Sequence, residues 1–248
     1  MMHGWPQHWY LWRDVIPLVA PHARAIAPDF RGFGWTEVPK GGYEKHQLMR
    51  DVLALLDELG VEKVTAAGHD WGGYVGLLLA LEHPERVESL LVLNVLPPWA
   101  GRDPRSLLDA WRLAYQPVLA TPGLGRRAGR ALAKRGLQQA GLSAAEVDAF
   151  TRRLEGERGV ASERLYRSFL RELPGVMRGR YSPRDLAVPT RVVFGERDVV
   201  LATSAAKDSF GRADAVELEL VADATHFIVD EKPELVADRL LRLLPREL

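Results

Sequence analysis

The sequence contains no cysteine, which excludes disulfide bridges, thiolate metal sites and a cysteine nucleophile. It also has no excess of charge, because 33 lysine and arginine residues balance 33 aspartate and glutamate residues. Nothing in this balance attracts nucleic acid or an acidic membrane surface, and a small neutral ligand fits it. The sequence lacks the apolar run of about 18 residues that a membrane helix needs, and its first residues are not typical of a secretory signal. We therefore expect a cytoplasmic protein that binds neither nucleic acid nor a membrane.

Metal-binding patterns are missing as well. HExxH or comparable ligand spacing does not occur among the histidines His3, His8, His22, His46, His69 and His83. We expect neither a metal nor a cofactor. The arginine-rich stretch 125–136 has no interleaved aromatic residues, and we interpret it as the solvated face of a helix.

Apolar runs of β type alternate with helical patterns along the chain, and this alternation is typical of parallel βαβ units. Helices are predicted at 7–20, 44–60, 72–84 and 233–248, and strands at 23–30, 61–68, 87–94, within 185–198 and within 215–227. Residues 99–183 have helical spacing and no convincing strand. We predict an α/β core formed by residues 1–98 and 184–248, with a helical cap at 99–183.

The stretch GHDWGG at 68–73 places Asp70 between an apolar strand and a helix, with glycines that permit a crowded turn. This is the shape of the nucleophile elbow GxSxG, with aspartate in place of serine. A second interpretation is that Asp70 only caps the following helix. GxDxG alone does not decide between the two.

Two further segments favour the elbow. HGWP at residues 3–6 has the form of an HGxP loop, so the backbone N–H of Trp5 is a candidate oxyanion donor opposite that of Trp71. His226 follows the last predicted strand, late in the chain, where the general base that serves such a nucleophile is expected.

Taken together in this order, HGWP, DFRGFG at 29–34, GHDWGG, GERD and ATHF resemble the α/β-hydrolase superfamily, and specifically its epoxide hydrolase branch. The resemblance covers nearly the whole chain and implies a mostly parallel sheet flanked by helices, with a helical cap. It also implies an acid that orients the histidine, and Asp198 occupies the matching position. Some dehalogenase relatives use an earlier position, which here is Asn94, and an asparagine does not stabilise an imidazolium as a carboxylate does.

A carboxylate nucleophile indicates alkyl transfer. Attack by Asp70 on a saturated carbon forms an ester, whose carbonyl is then open to water activated by His226. The resulting oxyanion would be held by the N–H groups of Trp5 and Trp71. A serine would form an ether, which water does not readily release, so esterase and lipase activities are disfavoured.

The leaving group separates the remaining alternatives. An epoxide expels an alkoxide that needs a donor, and the resemblance implies two cap tyrosines, for which Tyr115 and Tyr166 are the candidates and Tyr181 a weaker rival. We therefore expect hydrolysis of a small apolar epoxide by water. A haloalkane dehalogenase with the same nucleophile is the second hypothesis, and a ligand-binding protein with feeble catalysis is the third. A homodimer is left open.

The beginning of the chain departs from the family pattern. Relatives have a longer segment before HGxP that forms the first strands, whereas this sequence has only Met1 and Met2 there. We hypothesise a misassigned start, with a fragment as the alternative, and we expect a sheet from which those strands are missing.

Overall fold

A computed structural model describes residues 1–100 and 111–245. Its centre is a parallel sheet of four strands in the order β1-β2-β3-β4. The strands are β1 (Val64–His69), β2 (Val87–Leu93), β3 (Thr190–Gly195) and β4 (Val216–Val221). Since parallel strands share one direction, their carboxyl ends meet at the same edge of the sheet, and the turns that follow them lie side by side.

Helices flank the sheet and fill the connection between β2 and β3. Short 3-10 helices occur at Trp9–Trp12, Pro84–Arg86 and Pro183–Asp185. The α-helices in chain order are α1 (Ile16–Val19), α2 (Lys45–Glu58), α3 (Trp71–Glu82), α4 (Tyr115–Ala120), α5 (Leu124–Gln139), α6 (Ala144–Arg152), α7 (Glu157–Met177), α8 (Thr203–Phe210), α9 (Ile228–Glu231) and α10 (Pro233–Leu241). None of the described helices has the length and apolarity needed to cross a bilayer.

Two helices show how the sequence determines burial. In α2 the buried apolar side chains Leu48, Met49, Val52 and Leu56 recur at helical spacing and face one side. In α3 almost the whole circumference is buried, and Leu77, Leu78 and Leu79 are each 0% exposed. A helix that is apolar all round packs inside the molecule, and α3 accordingly lies between β1, β2 and α2.

The connection between β2 and β3 contains α4 to α7 and, in the residues described, no strand. Helix α7 packs against α4 and α5, and α6 begins with a capping box between Ser143 and Glu146. The predicted cap at 99–183 includes these helices, and its residues 101–110 lie outside the described part of the chain. The cap boundaries stay a prediction.

Two predicted elements are wrong. Residues 23–30 form no strand, because a strand needs a ladder partner and the free side of β1 pairs through a single bridge, Met2 with Gly68, in the described chain. The helix predicted at 7–20 is broken into the 3-10 turn at Trp9–Trp12 and α1, because Pro17 has no N–H to donate and a new helix begins at its first turn.

Truncating a buried leucine of α3 should be costly. We expect Leu78→Ala to lower the free energy of unfolding by about 2–5 kcal/mol, because it removes fully buried methyl groups and leaves a cavity. Urea denaturation measures this loss. The matched control is Leu18→Ala at a side chain that is 40% exposed, where a change within about 0.5 kcal/mol is expected; similar losses in both variants would contradict the burial of α3.

Candidate active site

Asp70 lies in the turn between β1 and α3 with a backbone φ of 49°. Few residues other than glycine adopt this conformation, and its neighbours make room for it by lacking side chains. A Cβ on Gly4 would lie 2.4 Å from the Cβ of Asp70, and a Cβ on Gly72 would lie 2.3 Å from the carbonyl oxygen of Met2. These glycines therefore allow the HGWP segment to pack directly against the turn.

The carboxylate of Asp70 is held by backbone N–H groups. Trp5 N–H donates to Oδ2 at 2.8 Å, and the N–H of Trp71 lies close enough to help lower the pKa of the carboxyl. Burial raises the pKa of Asp70 to about 6, although His226 and the two N–H groups oppose this shift. Asp70 is thus mostly ionised at neutral pH, with a pKa higher than that of an ordinary aspartate.

His226 lies between two carboxylates. Its Nδ1 is 2.8 Å from Oδ2 of Asp198, and its Nε2 is 4.0 Å from Oδ1 of Asp70. An ionised carboxylate only accepts hydrogen bonds, so Nδ1 carries the proton that is donated to Asp198. In the neutral ring, Nε2 is therefore a free base that faces Asp70.

The charges of this group depend on one another. Burial by itself would lower the pKa of His226, but the carboxylates of Asp198 and Asp70 outweigh burial and raise it to about 8. Burial opposes ionisation of Asp198 too, yet its bonds to His226 and Asn94 hold the pKa of Asp198 below its usual value. The imidazolium is the favoured form at neutral pH while Asp70 is negative.

Two residues of this site were not predicted from the sequence. Asn94 donates from Nδ2 to Oδ2 of Asp198 at 2.7 Å and accepts from Gly195 N–H at 3.3 Å, so the side chain rejected as the acid supports the acid chosen. His69 Nε2 lies 2.7 Å from the carbonyl oxygen of His226. Burial lowers the pKa of His69 to about 3, so the ring is neutral and donates this bond. The sequence signal for both is a polar residue at the carboxyl end of a strand.

The two predicted tyrosines, Tyr115 and Tyr166, lie beside each other and next to the tryptophans that flank Asp70. The ring centroids of Tyr115 and Tyr166 are 6.0 Å apart, and the Tyr166 ring also contacts Trp5 at 5.5 Å and Trp71 at 5.8 Å. Burial raises the pKa of both phenols well above the usual value, and the charge of Asp70 adds to this shift, so both phenols are protonated. Tyr181 lies elsewhere, with its hydroxyl bonded to His46 and Glu82.

Asp70 and Tyr115 border two cavities. One has a volume of about 270 Å³ and an apolar wall that includes Trp71 and Phe169. The other has a volume of about 530 Å³ and is lined by residues that include Trp5, Tyr166 and His226. The carboxylate is therefore accessible to a small apolar molecule from two sides. Across residues 1–100 and 111–245 no group of three or more His, Cys, Asp or Glu side chains is arranged to hold a metal ion.

Comparison with known proteins shows which family the fold belongs to. A family model described as "alpha/beta hydrolase fold" matches residues 1–233. A soluble epoxide hydrolase of Corynebacterium sp. (strain C12) is 45% identical over 97 residues, which are 39% of this chain and 34% of that protein, so the match spans about a third of the relative. The AB hydrolase superfamily protein YfhM of Bacillus subtilis is 28% identical over 260 residues, covering 100% of this chain and 90% of its own. The solved structure of the epoxide hydrolase CorEH has a TM-score of 0.82 and 27% identity, covering 98% of this chain and 89% of that one.

The raised pKa of His226 can be measured. We expect an NMR titration of His226 to give a pKa of about 8. Asp198→Asn should lower this pKa, because it removes the carboxylate that stabilises the imidazolium against the effect of burial. The raised pKa also stabilises the fold: its contribution is fully present below the unfolded pKa near 6.5 and is lost as the pH rises through about 8. An unchanged titration in Asp198→Asn would contradict the proposed ion pair.

Proposed function

Because the chain belongs to the α/β-hydrolase fold family, we propose that it is an epoxide hydrolase that converts a small apolar epoxide and water into a vicinal diol through an ester on Asp70. The observation that carries this proposal is the carboxylate of Asp70, held by Trp5 N–H at 2.8 Å and faced by His226 Nε2 at 4.0 Å. The similarity to epoxide hydrolases supports the choice of substrate class.

In the first step Oδ1 of Asp70 attacks an epoxide carbon and the carbon–oxygen bond of the ring breaks. Oδ2 stays on the N–H of Trp5, with the N–H of Trp71 as the second proposed donor, and becomes the carbonyl oxygen of the ester. The departing alkoxide takes a proton from the hydroxyl of Tyr115 or Tyr166. An ionised carboxylate needs no base for this step, and Asp70 is ionised above a pKa of about 6.

In the second step neutral His226 takes a proton from water, whose oxygen attacks the ester carbonyl. The negative charge moves onto Oδ2, where two N–H donors stabilise it, each typically by about 2.7–4 kcal/mol. Collapse of this intermediate expels the diol oxygen, which takes the proton from His226. The remaining proton, on the regenerated carboxyl of Asp70, returns to the tyrosinate.

The two steps need different charge states of His226, and the charge of Asp70 determines which of them is favoured. The negative carboxylate of Asp70 contributes to the raised pKa of His226. Alkylation removes that charge, so the pKa of His226 falls when the ester forms and the imidazolium releases its Nε2 proton to solvent; His226 regains a proton once the Asp70 carboxylate is free again. The histidine becomes a free base in the intermediate that requires one.

A haloalkane dehalogenase is the second candidate. The indole Nε1–H of Trp71 is buried beside the Tyr166 hydroxyl without a well-formed hydrogen bond among the described residues, and Trp71 borders the apolar cavity at Asp70. A departing halide would satisfy this donor. The same Asp70 ester would form in either reaction, so the two functions differ only in the group that leaves.

The covalent step predicts opposite outcomes for two variants. Asp70→Asn should give no diol from styrene oxide and no halide from a chloroalkane, because an amide does not displace either leaving group. His226→Gln should form one ester and then stop, because the base for hydrolysis is gone. Intact-protein mass spectrometry detects the ester as a mass increment on Asp70.

Asp214→Asn and His22→Gln are matched controls at exposed positions, and both should turn over like the unchanged protein. A single turnover in heavy-oxygen water should also place the label in the carboxyl group of Asp70. Full activity in Asp70→Asn, or label found only in the diol, would remove this mechanism. Ligand binding without ester formation would leave the binding protein as the remaining hypothesis.

The tyrosines are tested by the identity of the leaving group. Tyr115→Phe and Tyr166→Phe should each slow ester formation from an epoxide by about 10²-fold, because a proton donor to the alkoxide is lost. Halide release should be little changed, since a halide needs no proton. Rapid-quench mass spectrometry follows both reactions, with Tyr181→Phe as the control outside the cavities. Equal loss of both activities would count against the donor role.

A further inference from the structure

Lys45 is the most unusual charged residue near the candidate site. It is 0% exposed although its side chain ends in an ammonium group. It is also the first residue of α2, where the positive end of the helix dipole disfavours a cation. Within the described chain no carboxylate forms a salt bridge with it. Three unfavourable conditions therefore meet at one side chain that none of the steps above uses.

The contacts of the ammonium lead to the cavity wall. Nζ donates to the carbonyl oxygen of Leu165 at 3.0 Å, and this carbonyl belongs to the peptide that joins Leu165 to Tyr166. Nζ also lies 4.2 Å from the ring centroid of Trp71 and 5.4 Å from that of Phe169. The negative faces of these rings attract a cation, more strongly when water is excluded.

Lys45 thus joins α2 to the part of α7 that carries Tyr166. A neighbouring bond acts beside it, because Ser168 Oγ donates to the carbonyl oxygen of Tyr43 at 2.7 Å. Both links are buried and connect residues 43–45 to 165–168. They meet α7 next to Tyr166, whose ring in turn contacts Trp71.

An apolar side chain of the same length would fill this volume without burying a charge. Burial lowers the pKa of Lys45 to about 7, although Glu172, Asp70 and Glu44 oppose the shift. Keeping Lys45 protonated in this site therefore costs stability. The ammonium orients its neighbours, because it donates a hydrogen bond and attracts the faces of aromatic rings. A methionine would contact the same atoms without orienting them.

We propose that Lys45 is a positioning residue, whose ammonium fixes the indole of Trp71 and the Leu165–Tyr166 peptide so that the Tyr166 hydroxyl faces the leaving oxygen at Asp70. The inference rests on the proposed function, because it assigns to Tyr166 the donor role described above. Lys45 itself touches neither the carboxylate nor His226. Its contacts are with the Trp71 ring and the carbonyl before Tyr166, so we expect its main effect on ring opening and only a small one on hydrolysis of the ester.

The test is Lys45→Met, with Lys63→Met as the matched control at an exposed lysine paired with Glu88. Ester formation from styrene oxide, followed by mass spectrometry in a His226→Gln background, should slow about tenfold, in line with the loss of one buried cation–π contact and one hydrogen bond. With His226 intact, hydrolysis of the preformed ester should change less than twofold. The melting temperature should be unchanged or higher, because a buried charge is removed.

A residue that only supports the fold would behave differently, and ester formation, hydrolysis and melting temperature would then all decline together in Lys45→Met. That result, a variant that fails to fold, or ester formation at the unchanged rate would each overturn the proposal. In the control all three quantities should match those of the unchanged protein.

A measurement that does not depend on chemistry separates this inference from the function. Amide hydrogen exchange in Lys45→Met should become faster across residues 162–169 and stay unchanged in α3 and the sheet. If styrene oxide and a chloroalkane both leave Asp70 unmodified in the unchanged protein, the proposed function fails, and faster exchange at 162–169 still supports the positioning contact. Unchanged exchange there would refute it.

Discussion

The close approach of the HGWP segment to the Asp70 turn is the constraint on which the rest of the site depends. Met2 pairs with β1, since its N–H donates to Ala67 and its carbonyl accepts from His69, and this places Trp5 N–H on the carboxylate. The approach is possible because Gly4 and Gly72 have no side chains. A Cβ at either position would push the N–H donor away, and both charge stabilisation and the direction of the carboxylate would be lost together.

Around this turn three buried ionisable groups organise the site, and their burial is compensated to different extents. Burial opposes the charge on Asp70, His226 and Asp198, and different hydrogen bonds and neighbouring charges oppose this effect at each residue. Asp198 keeps its charge through hydrogen bonds that include one from Asn94, and His226 gains charge from two carboxylates. Asp70 remains the group whose charge is least compensated, and the least compensated carboxylate is the one best prepared to lose its charge by forming a bond.

The sequence predicts those parts of the site that depend on short, continuous stretches of residues. The apolar runs around 64–69 and 87–93 predict the strands. The short motifs at 3–6, 68–73 and 224–227 predict Trp5, Asp70 and His226, because each lies in a short segment next to a predicted strand or helix. The structure brings these segments together at one edge of the sheet. The strand at 23–30 was wrong because a strand depends on a partner that its own sequence does not describe.

The contacts of Asn94, His69 and Lys45 were beyond prediction for a different reason. Their partners Asp198, His226 and Leu165 are respectively 104, 157 and 120 positions away along the chain. No periodicity or local motif encodes such a pairing. A polar residue inside an apolar run could equally be a chance break in the hydrophobic pattern. Burial of a polar side chain becomes informative only when its partner is known.

Such side chains are concentrated near the carboxyl end of the sheet, where His3, His69, Asn94, Asp198 and His226 are all buried. Each costs stability unless its hydrogen bonds are made, and an apolar core would be the more stable alternative. Their value lies in the low dielectric around them, in which one charge alters another more strongly than it does in water. The same low dielectric that makes Lys45 costly to bury also strengthens its hold on Trp71 and on the peptide before Tyr166. The stability lost by burying the charge and the stronger interaction with these groups therefore have one cause, and neither needs an additional contact.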